Sequence, residues 1–455
     1  MIYHFLKQLI KLSLFFFFKK ILLTGKYHIP AQGPLILAVN HPNTFMDPLL
    51  VASICTQRIG FIANAGIFLN DFVTRIFSYF HVIPIFRKKD IQPGEKPDNR
   101  MAFMNCHEYL SGKGTILIFP EGTSYYELKL REIKTGTARI ALSFEELNHF
   151  RGNLKIVPIA LDYSDSIQFR SVVSIRVCPP LSVSDYRKAY EKDEFETVLQ
   201  LTEAIRKELA KNIPQTSGKE QEEFLVRMHH FYTSFYDPQA ALHMNPKLSL
   251  ELRNQVSKAL HFLEKHNVEL YLDTQKKVAQ FFKLLKEEGV RPLIISNNII
   301  EKNKPIVYGS YFLKFILLFP VYILGLVFNY IPFMLPVKIF RALKLDIEYK
   351  APVQMIAGLV TFPLFYALTL WLFRVYVSPD IWYALLLLLV MPLTGFVCMY
   401  YYAEAKRFSK LIHYNFFMAE DKRQKIDMLI GQILKNVDEA IKSLDRASSD
   451  QESAS

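Results

Sequence analysis

The chain has 455 residues, a formal net charge of +12, and 51% hydrophobic and 14% aromatic side chains, among them 37 Phe and 24 Tyr. That length permits roughly two to four domains, and the apolar excess is gathered in blocks, which excludes an evenly polar soluble chain and points to membrane contact. The basic balance suits anionic lipid headgroups or phosphorylated substrates, whereas the absence of any zinc-finger or RNP-type pattern speaks against a nucleic-acid partner.

Residues 1–24 set Ile2, Phe5, Leu6, Leu9, Ile10, Phe16 and Phe17 at helical spacing. Lys7, Lys11, Lys19 and Lys20 keep the apolar run well short of the ~20 residues that span a bilayer. No small-residue cleavage site follows, so a secretory signal is not expected. The pattern predicts a basic amphipathic helix in the membrane interface, with a helix packed on the neighbouring domain as the alternative. From residue 25 to 185, short apolar runs alternate with helical stretches. Strands are predicted at 35–39, 59–63, 82–86, 115–119, 155–161 and 171–177 from their β-branched content and Gly, Pro and Asn boundaries. The fold class is therefore α/β with a mixed, largely parallel sheet, in which sites lie beyond the carboxyl ends of strands.

Residues 186–305 read as a charged helical subdomain without nameable chemistry. Its His229-His230 pair is a poor metal site, because adjacent residues do not face each other on a helix. A membrane region is predicted over 306–404. Within it, 353–377 and 381–403 are long enough to span, and Ser378-Pro379-Asp380 joins them as a tight hairpin. Lys338, Arg341, Lys344 and Lys350 before the pair, and Lys406, Arg407 and Lys410 after it, place both ends on the cytoplasmic side. The apolar stretch 312–335 contains Lys314, Pro320 and Pro332. It reads either as an ordinary span or as a re-entrant segment bent near Pro320 or Gly325. Residues 405–446 predict an amphipathic helix with Ile426, Ile430, Ile433, Val437 and Ile441 on one face, and 447–455 a disordered polar tail. Cys55, Cys106, Cys178 and Cys398 lack CxxC spacing, which predicts reduced structural thiols, without a disulfide framework, metal or cofactor.

The most informative stretch is Asn40-His41-Pro42-Asn43-Thr44-Phe45-Met46-Asp47-Pro48, at a strand-to-helix junction. A His and an Asp there fit a general base held by a carboxylate. They also fit a satisfied His beside a helix-capping Asp, since Thr44-x-x-Asp47 has capping-box spacing. Three further features follow in order. They are Ile83-Pro84-Ile85-Phe86-Arg87, then Phe119-Pro120-Glu121-Gly122-Thr123-Ser124 with Lys134-Thr135-Gly136 beyond it, then Val157-Pro158-Ile159-Ala160. Together with Gly25, Ile29-Pro30 and Gly33-Pro34, this series resembles the phospholipid/glycerol acyltransferase (PlsC-like) family over about the first 40–45% of the chain.

The resemblance implies a membrane-associated acyltransferase domain that moves a fatty acyl group from a thioester, acyl-CoA or acyl-carrier protein, to a hydroxyl of lysophosphatidate or glycerol 3-phosphate. Under it, His41 and Asp47 match the base and its orienter, as the chemistry of a poorly nucleophilic alcohol requires. Arg87 matches the position that grips the acceptor phosphate, to which a planar guanidinium fork is suited. Glu121 and Gly122 match the third block of the acceptor site, where a backbone N–H is also a possible oxyanion donor, and Lys134 adds charge for a phosphate or for the donor. One departure stands out. Five residues separate His41 from Asp47 where the family usually has four. The His-x-Asn-x-Phe-x-Asp-Pro order resembles glycerol-3-phosphate acyltransferases of the fungal type and leans towards that acceptor. With no Gly-x-Ser-x-Gly elbow, a Ser-centred hydrolase has little support. The expected protein is an integral membrane enzyme with its active site on the cytoplasmic face. The alternatives are lysophospholipid remodelling or transacylation at the same site, and a non-catalytic lipid-binding scaffold.

Overall fold

In the computed structural model, residues 2–67, 71–86, 99–236, 246–300 and 304–453 are described. The expected runs of β-branched and aliphatic residues form strands β2 (Leu35–Val39), β3 (Ile59–Asn64), β4 (Val82–Ile85), β5 (Thr115–Ile118), β6 (Lys155–Tyr163) and β7 (Val172–Val177). Two further strands, β1 (Lys20–Thr24) and β8 (Leu181–Ser182), are additions to the sequence reading. The sheet order is β1-β7-β6-β2-β5-β3-β4, with β8 on β6. Pairing is parallel from β6 through β4, and β7 runs antiparallel to β6. The domain is thus α/β with a mixed, mostly parallel sheet. Its near-continuous apolar strands follow from burial on both faces: every residue of β2 and β5 is buried.

The expected helix over 1–24 is shorter and is followed by a strand. Helix α1 (Ile2–Phe17) ends before Lys20, and Lys20–Thr24 pairs in parallel with Val172–Arg176. Leu14 and Phe17 of α1 are buried, while Phe5, Leu12 and Phe15 are exposed. One end of the helix is therefore docked, and an apolar face is left open. Helices α2 (Met46–Ile54), α3 (Asp71–Tyr79), α4 (Arg100–Ser111) and α5 (Gly136–Leu147) alternate with the strands. The first compact unit comprises residues 1–216 together with 346–352, so the boundary expected at 185 moves. Helices α6 (Arg187–Lys192) and α7 (Glu194–Ala210) belong to it because Leu201, Ile205 and Leu209 share a core with Ile36 and Ile116.

The second unit holds residues 217–345 and 353–455. Helices α8 (Lys219–Phe235), α9 (Pro246–His266), α10 (Val268–Glu288) and α11 (Pro292–Ile300) precede three long ones, α12 (Lys304–Leu343), α13 (Lys350–Tyr376) and α14 (Ile381–Ile412). These three are long and apolar enough to cross a membrane. Helix α12 runs unbroken through Pro320 and Pro332. Gly325 serves close packing there: a Cβ on it would stand 2.4 Å from the Thr394 carbonyl oxygen of α14. Asn329 adds polar glue, donating from Nδ2 to the carbonyls of Gly325 and Met391, each at 3.0 Å, and accepting from the Tyr366 hydroxyl at 2.5 Å. The last helix, α15 (Glu420–Ser453), continues through residues expected to be a disordered tail. Its Ile426, Ile430, Ile433 and Val437 are buried with Phe231, Val278 and Phe281 in a helical core.

Candidate active site

Strand β2 lies between β5 and β6, and all three are parallel, so their carboxyl ends open on one edge. This juxtaposition brings together residues distant in sequence. Past the end of β2 the backbone ladder to β6 stops at Val39, paired with Ile159. The Asn40 side chain extends it, accepting from the Leu161 N–H at 2.7 Å and donating to the Leu161 carbonyl at 2.9 Å. That clamp fixes where His41 leaves the sheet.

The His41 ring stacks on Phe119, which follows β5, with centroids 3.7 Å apart and planes 11° from parallel. Nδ1 of His41 lies 2.8 Å from Asp47 Oδ2. Asp47 is fully buried and accepts at Oδ2 from the Asn43 N–H as well, also at 2.8 Å, and at Oδ1 from the Tyr163 hydroxyl at 2.6 Å. A carboxylate is an acceptor only, so its partner nitrogen carries the proton: Nδ1–H points to Asp47, and Nε2 keeps its lone pair. Nε2 has no hydrogen-bond partner among the described residues, and His41 lines the cleft. Burial, then the Asp47 charge, pushes the Tyr163 phenol well above its ordinary range and keeps it a donor.

The added residue between His41 and Asp47 is absorbed by a turn. The Asn43 carbonyl accepts from the N–H groups of Met46 and Asp47 at 3.0 and 3.2 Å, which starts α2 and returns the carboxylate beneath the imidazole. The capping-box alternative is not what forms. Phe45 occupies the N-cap position without a side-chain cap, and Asp47 bonds the Asn43 N–H and the ring instead.

Both carboxylate oxygens of Glu121 are engaged by backbone donors. Its Oε1 accepts from the His41 N–H at 2.7 Å and its Oε2 from the Arg131 N–H at 3.0 Å. It is a strut beneath the His41 backbone. Burial raises its pKa, partly opposed by those two N–H groups. Gly122 has φ +72°, a left-handed turn that favours Gly, and its N–H donates to the Phe119 carbonyl at 3.0 Å. That N–H is thereby committed to the turn. The Lys134 Nζ lies 3.0 Å from where a Cβ on Gly122 would stand, and both residues line the cleft. Arg87 lies outside the described residues; Phe86, just before it, lines the cleft.

The cleft is about 1710 Å³. From His41 it extends along apolar side chains, including Leu6, Ile10, Leu49, Phe61, Phe80 and Val82, and it also reaches Lys134 and Arg139 at the start of α5. Sequence reasoning missed Tyr163, whose only local signal is a phenol in an otherwise apolar strand that must find a partner. It also missed the turn Asp346–Tyr349, which lines the same cleft. Among the described residues no group of His, Cys, Asp and Glu side chains is placed to hold a metal ion.

The Acyltransferase family model matches residues 20–162. This region is an acyltransferase domain. It is similar to glycerol-3-phosphate O-acyltransferase 2 of Saccharomyces cerevisiae, at 33% identity over 25% of this chain and 16% of the relative. Similarity to glycerol-3-phosphate O-acyltransferase 1 of the same yeast is 21%, over 37% of this chain and 33% of the relative. The chain therefore spans a third or less of the length of these relatives. Among solved structures it is similar to the 1-acyl-sn-glycerophosphate acyltransferase PlsC from Thermotoga maritima. That match has 16% identity and a TM-score of 0.33, over 44% of this chain and 77% of that one. The acyltransferase domain contains the His41–Asp47 pair, Asn40 and Glu121, whereas Tyr163 and the 346–349 turn lie beyond the matched span.

Proposed function

We propose that this chain is a membrane-bound glycerolipid O-acyltransferase that transfers a fatty acyl group from a thioester of CoA or acyl-carrier protein to a hydroxyl of glycerol 3-phosphate or lysophosphatidate. The observation that carries the reading is His41, held by Asp47 at Nδ1 and lining a large cleft. Nε2 takes the proton of the acceptor hydroxyl as its oxygen attacks the thioester carbonyl. Asp47 stabilises the imidazolium that forms. The tetrahedral intermediate then collapses, the C–S bond breaks, and the proton passes from Nε2 to the leaving thiolate. A positioned base of this kind contributes ~10²–10⁴-fold.

The apolar side chains along α1, α2, β3 and β4 suit a fatty acyl chain. Lys134 and Arg139 suit phosphate oxygens, of acceptor or donor, and Arg87 is proposed to join them at the acceptor phosphate through a bidentate fork. Glu121 supports the base through the His41 backbone N–H. The three helices long and apolar enough to span and the basic segments flanking α13 and α14 support an integral membrane protein whose active site faces the cytoplasm. In the purified full chain, His41→Ala should abolish transfer to either acceptor while the circular dichroism spectrum stays that of the wild type. Transfer at the wild-type rate would refute the mechanism. A panel of lysophospholipid acceptors separates phosphatidate synthesis from remodelling by the same base.

A further inference from the structure

The first compact unit recruits a short piece of chain from far outside the acyltransferase domain. Residues 346–352, between α12 and α13, cluster with residues 1–216. The turn Ile347–Tyr349 is tied to the catalytic loop at several points. Thr44 Oγ1 donates to the Glu348 carbonyl at 3.0 Å, the rings of Phe45 and Tyr349 lie 6.2 Å apart, and the Tyr126 N–H lies 3.5 Å from Glu348 Oε1. Thr44 and Phe45 stand between His41 and Asp47 in the chain. Tyr126 adjoins Tyr125, whose N–H donates to the His41 carbonyl at 3.3 Å. The turn therefore walls the cleft close to the base.

This wall differs in chemistry from the apolar stretch along α1, β3 and β4. It gathers the hydroxyls of Thr44 and Ser124 with a carboxylate, and Ser124 Oγ itself accepts from the Thr44 N–H at 2.9 Å. Such a lining suits a polyol and disfavours an alkyl chain. The Glu348 carboxylate has about four lone-pair positions, and among the described residues it receives one long hydrogen bond. It retains capacity for a hydroxyl donor. The two candidate acceptors differ in that respect. Glycerol 3-phosphate carries a second hydroxyl besides the one that attacks, whereas 1-acyl lysophosphatidate has a single free hydroxyl, the one that attacks, its other position being esterified.

Resting on the acyltransferase reading above, we propose that the Asp346–Tyr349 turn is the acceptor-side wall of the cleft and that Glu348 selects glycerol 3-phosphate by accepting a hydrogen bond from its non-reacting hydroxyl. The wall is supplied by chain tethered on both sides to helices long enough to cross a bilayer. Selectivity is thereby placed on a segment that can vary without touching His41 or Asp47.

The test is steady-state kinetics of the purified full chain with acyl-CoA and either glycerol 3-phosphate or 1-acyl lysophosphatidate, for wild type, Glu348→Ala and His41→Ala. Glu348→Ala should lower kcat/KM for glycerol 3-phosphate about 10-fold or more, the worth of one hydrogen bond to a charged group. Its kcat/KM for lysophosphatidate should move less than about 2-fold, as should the KM for acyl-CoA. The Thr44–Glu348 bond uses the backbone carbonyl and survives the substitution. An equal fall for both acceptors, an unchanged ratio, or a wild type that uses lysophosphatidate alone would overturn the selection role. If His41→Ala stays active, the reading on which the proposal rests fails; if it is inactive while Glu348→Ala leaves the ratio unmoved, the wall alone fails.

Discussion

Replacing Asp47 by Asn tests how the imidazole is held. In the wild type Oδ2 receives the His41 Nδ1–H and the Asn43 N–H, each at 2.8 Å, while Oδ1 receives the Tyr163 hydroxyl at 2.6 Å. An Asn amide has two orientations here. With its NH2 towards His41, it meets the Asn43 N–H donor head-on and forces Nδ1 to accept, which protonates Nε2 and destroys the base. With its oxygen towards His41, both N–H groups stay satisfied and the NH2 donates to the Tyr163 oxygen. The Asn43 N–H is fixed backbone, so the second orientation wins and the productive tautomer survives.

What is lost is the negative charge opposite the forming imidazolium, and a hydrogen bond to a charged group is worth about 1.5–3 kcal/mol. At about 1.36 kcal/mol per tenfold, kcat/KM should fall roughly 10- to 200-fold. Tyr163→Phe in the Asp47→Asn background removes a hydroxyl left without its acceptor, so it should cost less there than in the wild type, a coupling that a double-mutant cycle reads directly. The assay is acyl transfer with thiol release followed continuously, at saturating donor. A loss near ~10⁴, the size seen when a triad carboxylate is neutralised and the tautomer inverts, would refute the role given to the Asn43 N–H. A loss under about 2-fold would refute the Asp47–His41 coupling itself.

Two further predictions concern stability. Asn40→Ala leaves the Leu161 N–H and carbonyl without their side-chain partners in a buried setting, so denaturant unfolding of the full chain should show a loss of about 2–4 kcal/mol; a change within about 0.5 kcal/mol, the spread of ordinary surface substitutions, would mean that the clamp does not stabilise the fold. In the second unit, Glu288 bonds Lys422 and His413, and the Lys422 ammonium first, then His413, holds its pKa below the ordinary 4.5. A depressed carboxylate contributes stability that is present above the unfolded value and lost as pH falls through the folded one. The thermal-midpoint gap between wild type and Glu288→Gln should be widest above the ordinary glutamate value of 4.5 and close as acidification carries the pH below it. A gap that persists or grows in acid would contradict the ion pairs.

Much of the fold is written locally. The β-branched runs at 35–39, 115–119 and 155–161 are strands because each is apolar apart from the opening Thr115 and Lys155 and is bounded by Gly, Pro or Asn, and the long apolar stretches after residue 304 form helices with few other options. The strand Lys20–Thr24 escapes a local reading because Ile21-Leu22-Leu23 is a short apolar run two lysines after that of α1; only pairing with Val172–Arg176 makes it a strand. For the same reason a boundary drawn from sequence puts α7 in the wrong unit. Its apolar stripe is plain in the sequence, but which core receives Leu201, Ile205 and Leu209 depends on long-range packing.

By itself, the sequence determined the residue types the chemistry needs, their order along the chain and their positions at strand ends, because strand period, turn residues and apolar blocks are short-range properties. The tertiary structure decided how those residues are used. Strand order placed β6 beside β2 and so delivered Tyr163 to Asp47 across 116 residues. The Asn43 turn converted an irregular His–Asp spacing into a 2.8 Å contact. The parallel β2–β5 pairing brought Glu121 under the His41 backbone, where its Oε1 accepts from the His41 N–H. Packing of the 346–352 segment on the first unit brought Glu348 to Thr44 across 304 residues. Each of these rests on which distant segments become neighbours, and no local pattern records that.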